Sequence, residues 1–142
     1  MAIVNALQHD ARLTSDALAQ RVGLAATACQ RRIKRLRESG AIMAEVAVIS
    51  PDVVGGRVTM LVQVVLKRGG GDAIDSFKRE MVAVPEVQQC YYVLGEHDFV
   101  LVITAADIAA YDRLTRRIFF SNANLQNSHT SMVMDRVTVG LQ

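Results

Sequence analysis

The chain has 142 residues, 51% of them apolar, enough for a packed core in one domain or two small ones, which excludes a disordered chain. Net charge is only +2 but unevenly spread: residues 1–50 carry seven Arg/Lys against four acids, the remainder nine against ten. A basic N-terminal third on a near-neutral body points to an anionic partner for that third alone.

In chain order, Ile3, Val4 and Leu7 open a short first helix that Met1 cuts off, and residues 9–12 form its exit. Thr14 stands as the N-cap of a second helix, with Asp16 in its first turn and Leu18 and Val22 on its apolar face. Gly23 ends it, and 24–26 lead into a third helix over 27–38. There Cys29, Ile33 and Leu36 fall at i, i+4 and i+7, one narrow apolar seam, while Arg31, Arg32, Lys34, Arg35 and Arg37 surround it. Alone, such a charge run is an ordinary solvated face. Behind a capped helix and a short Gly-containing turn it reads as the second helix of a helix-turn-helix, with the motif at about 15–34. Thr27, Ala28, Gln30 and Arg31 are then the base-facing candidates, because Gln suits adenine and Arg suits guanine. Arg32, Lys34, Arg35 and Arg37 suit phosphates. Gly40 stops the helix, and residues 41–49 read as an extended segment leaving the helical domain. Ser50-Pro51-Asp52 forms a turn or helix start and Gly55-Gly56 a break, so the boundary falls across 41–56, with 51–57 as the linker.

Residues 58–67 alternate as a strand whose second side is only partly apolar. Gly69-Gly70-Gly71 is a flexible connection, and Ile74, Phe77, Met81 and Val84 mark an amphipathic helix stopped near Pro85. A strand over 87–94, a turn at 95–98 and an apolar central strand over 99–104 follow. Asp107 caps a helix with Ile108, Tyr111, Leu114 and Ile118 on its face; 119–127 read as a loop and 129–139 as a last strand with apolar Met132, Val133, Met134, Val137 and Val139. The order strand, helix, strand, strand, helix, strand is the ferredoxin-like βαββαβ arrangement. With both helices on one sheet face, the half-apolar open face favours dimerisation.

Cys29 and Cys90 have no C-x-x-C partner and read as reduced, mostly buried thiols. His9 and His129 look isolated and His97 an exposed loop tip, so no metal set is expected. Gly69-Gly70-Gly71 lacks the Lys-Ser/Thr of a phosphate loop, and no nucleophile motif supports catalysis, so no catalytic residues and no cofactor are expected. No 18-residue apolar run or secretory leader is visible, so a cytoplasmic, nucleoid-associated protein without a membrane span is expected.

Two blocks carry a family likeness. One is Leu24-x-x-x-x-Cys29-x-x-Arg32-Ile33-x-x-Leu36-x-x-x-Gly40-x-Ile42. The other is Val87-x-x-Cys90-x-x-Val93-x-Gly95-x-x-Asp98-Phe99, with Met132-Val133-Met134 further on. Together they resemble the Lrp/AsnC regulators over nearly the whole chain. The resemblance implies an α+β fold: a winged helix-turn-helix domain (1–50; three helices, the first shortened) joined to a ferredoxin-like effector-binding and oligomerisation domain (58–142). It also implies a sequence-specific regulator that binds double-stranded DNA as a homodimer, assembling to tetramers or octamers, and responds to a small effector, an amino acid. Carried over by matched position, Gly95, Glu96, His97 and Asp98 line the effector site, with Thr130 and Ser131 as further candidates. Backbone N–H groups there would hold a carboxylate and Asp98 an ammonium. Asp98 equally suits a plain turn residue bonding its own backbone. The alternative function is an amino-acid-sensing or assembly module without effective DNA binding. Where the family tends to place Ser before the recognition helix, this chain has Ala25; the missing cap costs about 1 kcal/mol unless Thr27 substitutes.

Overall fold

The computed structural model describes residues 1–50, 53–67 and 71–138, so Pro51, Asp52, Gly69, Gly70 and Val139 of the expectations above lie outside the described residues. Met1–Val48 form one compact unit and Ile49–Val137 another.

The first unit holds α1 (Ala2–His9), α2 (Ser15–Val22) and α3 (Ala26–Glu38). Thr14 caps α2 as its composition suggests: its hydroxyl accepts from the Ala17 N–H at 3.2 Å. Gly23 closes α2 in the left-handed region (φ 69°), where a Cβ would be strained. Three short helices cannot hold themselves, so their apolar seams converge: Ile3, Leu18, Cys29 and Ile33 are buried, with Leu7, Leu13, Val22, Leu24 and Leu36 packed around them. Among the described residues this unit contains no strand. Residues 41–50 are β-formers without a pairing partner, and Met43, Val46 and Val48 stay exposed, so the extended segment builds no strand-paired wing.

The second unit runs β1 (Val58–Leu66), α4 (Gly71–Val82), β2 (Val87–Tyr92), β3 (Phe99–Ala105), α5 (Ile108–Thr115), a π-helical turn (Arg116–Phe120) and β4 (Leu125–Met132). The sheet order is β2-β3-β1-β4, every neighbouring pair antiparallel, which is the ferredoxin-like topology. Period-two alternation sends Met60, Val62, Val64 and Leu66 of β1 and Phe99, Leu101, Ile103 and Ala105 of β3 into one core with Phe77 and Met81 of α4 and Tyr111 and Leu114 of α5. Asp107 caps α5, its carboxylate accepting from the Ala110 N–H.

Three sequence expectations need correction here. Ile108 is 61% exposed: it opens α5 to one side of the stripe, and Thr115 is buried instead. Residues 119–127 are not one loop. The wider π-helical turn carries the helix on to Phe120 and brings the adjacent Ile118 and Phe119 both to the core. The last strand spans 125–132 and not 129–139. Its polar edge-strand sequence lacks an apolar alternation, whereas Met134 and Val137 beyond it are each 86% exposed.

Candidate nucleic-acid interface and effector site

On α3 the helical period separates three zones. Cys29 (0% exposed) and Ile33 (8%) face the core, and Leu36 is half buried beside them. Thr27, Arg31 and Lys34 lie on the opposite side at about 100° per residue, with Gln30 and Arg35 toward its two edges, all exposed. Arg32 and Arg37 flank the seam, and Ala28, also on a flank, is half buried. Arg32 and Arg35 border a groove of about 450 Å³ shared with Met1, Val4, Leu24 and Leu36. Two cations make surface pairs: Lys34 with Glu38 at 3.8 Å and Arg37 with Glu45 at 2.9 Å. Glu45 holds the Arg37 guanidinium above its ordinary pKa. Such exposed pairs are weak and give way readily to a phosphate. Ala25 is the N-cap of α3, with extended backbone (φ −70°, ψ 145°) and no side-chain capping bond. Thr27 lies inside the first turn and does not replace that cap.

The 95–98 turn is built on backbone bonds. Gly95 adopts φ 156°, rare for L-residues, and no neighbour crowds it, so conformation alone calls for glycine. The Asp98 N–H donates to Val64 O and its carbonyl accepts from the Val93 N–H, each at 2.9 Å. The Asp98 carboxylate accepts from the Leu66 N–H at 2.7 Å. Asp98 thus ties the turn to the end of β1 through a residue 32 positions away, and not, as a plain turn residue would, to its own local backbone. Glu96 is exposed. His97 is half buried and not a bare loop tip: its ring lies edge-on to His129, centroids 5.9 Å apart. His129 is therefore not isolated either, and its Nε2 meets the Asn127 amide at 3.2 Å.

The six effector-site candidates are not all brought together. Thr130 and Ser131 are neighbours on β4, so they point to opposite sheet faces. Thr130 bonds the Tyr111 hydroxyl on the helix side, and burial pushes that phenol above its ordinary pKa. Thr130 pairs with Val62 and Ser131 with Leu61, whereas Asp98 lies beyond Val64. The β4 residue that meets the turn is His129, which sequence reasoning left out. Aligning β4 to β1 from Leu125 would have found it, but the polar strand concealed that register.

Residues 1–37 match the AsnC-type helix-turn-helix domain, and residues 59–140 match the Lrp/AsnC ligand binding domain. An uncharacterized HTH-type transcriptional regulator of Sinorhizobium fredii is 48% identical over 137 residues, covering 96% of this chain and 81% of its own length. The leucine-responsive regulatory protein of Haemophilus influenzae is 31% identical over 135 residues, covering 95% and 81%. Among solved structures, a transcriptional regulator from Neisseria meningitidis in complex with L-methionine superposes with a TM-score of 0.88 at 27% identity, over 99% of this chain and 90% of that one.

Proposed function

This chain belongs to the Lrp/AsnC family, DNA-binding transcriptional regulators that respond to a small effector, and we propose how its residues divide that work. The recognition helix α3 enters the major groove. Thr27, Gln30 and Arg31 reach base edges, and the half-buried Ala28 makes at most an apolar contact. Arg32 and Arg37 on the two flanks, with Lys34 and Arg35, take phosphates on either side of the groove. The observation that carries this reading is the exposed, outward ring of cations on a helix anchored by Cys29 and Ile33.

The effector is an amino acid, as in the methionine complexes of the Neisseria meningitidis regulator and of a feast or famine regulatory protein of M. tuberculosis. The turn from Gly95 to Asp98 takes it, joined by His129. Ser131 contributes from the open sheet face and Thr130 only indirectly, through the opposite face. The working unit is a homodimer formed across the open sheet face, where Leu61 (43% exposed) and Tyr91 (52%) lie beside Val100 and Val102. Dimers associate further into tetramers or octamers around the effector. The protein acts in the cytoplasm on nucleoid DNA, without catalysis.

Duplex binding measured across a salt series tests the first assignment. Expected is a steep fall of affinity with salt. Arg32→Ala should lower the log–log slope by about one for every sequence, whereas Arg31→Ala relaxes preference at one base position. Salt-insensitive binding, or none, would reject it in favour of a sensing module that does not use DNA.

A further inference from the structure

Gly40 turns the chain at the end of α3. Its left-handed φ of 75° stops the helix, and the Ile42 N–H then donates to Leu36 O at 3.0 Å. Residues 43–48 continue without a strand partner among the described residues, and Met43, Val46 and Val48 are exposed. Among the described residues, one side-chain hydrogen bond ties this segment to α3: Glu45 Oε1 accepts from the Arg37 guanidinium at 2.9 Å. A segment with so few buried contacts is held weakly, so that bond bears on where it rests.

The same guanidinium belongs to the helix that meets DNA. Arg37 is seven residues from Gln30, on the same edge of α3, with Lys34 beside them. The other ion pair of this helix, Lys34 with Glu38, lies wholly within α3 and couples it to nothing else. Glu45 stands outside the helix, so its pairing with Arg37 joins two parts of the chain.

A guanidinium offers carboxylate and phosphate the same N–H fork. The Arg37 and Glu45 side chains are 54% and 38% exposed, so a phosphate reaches the guanidinium from solvent. Holding both partners would set two anions side by side, which like-charge repulsion disfavours. Carboxylate and phosphate therefore compete for Arg37.

We propose that Glu45 is a latch that DNA opens. Without DNA it holds residues 43–48 at the end of α3 through Arg37. A phosphate that takes Arg37 frees the segment. By linkage, whatever keeps the segment away from α3 strengthens DNA binding by the same factor. Glu45 touches neither base nor phosphate and acts as a positioning residue. The latch rests on the phosphate role given to Arg37 above.

Duplex binding of the full chain across a salt series, with Arg37→Ala, Glu45→Gln and the double variant, tests the competition. Glu45→Gln should bind DNA about threefold tighter at low salt, as release from an exposed ion pair allows. The gain should shrink as added salt screens the charges. In the Arg37→Ala background the same change should alter affinity less than about 1.5-fold. A gain undiminished in that background would make Glu45 a general repulsive charge and overturn the latch, as would no gain in either. Glu-specific proteolysis reads the latch without DNA: cleavage after Glu45 should be about twofold or more faster in Arg37→Ala than in wild type. Equal cleavage rates would overturn it. Duplex binding that is intact but indifferent to Glu45 defeats the latch alone, whereas absence of duplex binding defeats the phosphate role of Arg37 and the latch with it.

Discussion

Replacing Asp98 by Ala separates what this residue does for the fold from what it does for a ligand. The β1–β3 ladder ends at the Val64–Phe99 pair. Val64 and Leu66, two residues apart, present backbone groups to the same side, but β3 no longer runs beside Leu66. The Asp98 carboxylate takes the place of the missing strand acceptor, at 2.7 Å from the Leu66 N–H in a partly buried position. A hydrogen bond to a charged group is worth about 1.5–3 kcal/mol, so Asp98→Ala should cost the sheet unit about 2 kcal/mol in urea unfolding followed by far-UV circular dichroism. Asp98→Asn keeps an oxygen acceptor and should cost under about 1 kcal/mol. Stability of Asp98→Ala within about 0.5 kcal/mol of wild type would refute this account of the end of β1. If Asp98→Asn restores stability and still loses amino-acid affinity, the carboxylate acts on the ligand as well.

Other expectations concern both units. Ala25→Ser supplies the missing cap at a residue whose backbone already suits one, and should stabilise the helical unit by about 1 kcal/mol, raising its Tm by several degrees. Leu18→Ala empties a fully buried position and should cost about 3 kcal/mol or more, read as loss of helical signal at lower urea. Burial is the larger influence on Cys90 and raises its thiol pKa above the ordinary 9.0, against the lowering effect of Lys78. A raised thiol pKa in the folded state contributes stability that is complete below the unfolded value and fades as pH climbs through the folded one. Unfolding free energy should therefore decline above about pH 9 more steeply in wild type than in Cys90→Ala, and Cys90 should alkylate slowly below that pH.

The residues that the chain shows most plainly are those whose signal is local. Thr14, Gly23 and Asp107 cap helices because a hydroxyl, a missing Cβ and a carboxylate act within a few residues of their own position. The apolar seam of α3 and the alternation of β1 and β3 are short-period patterns, so the split into a helical and a sheet-forming part, and the family likeness with it, can be read without coordinates.

What tertiary structure alone decides is non-local. Antiparallel register sets which face each residue of β4 occupies, and a slip of one residue exchanges the faces, so Thr130 and Ser131 could not be sorted from sequence. The same register brings His129 to His97 across strands that are far apart in the chain. Likewise the fold alone brings the Glu86 carboxylate, just before the bulge at Val87–Gln89, to within 3.6 Å of the Arg117 guanidinium, two charges from distant segments with no common motif. Composition and periodicity determine what each segment wants to bury. Only the closed sheet, which must pair strands from distant positions, decides which polar side chains meet on its surface.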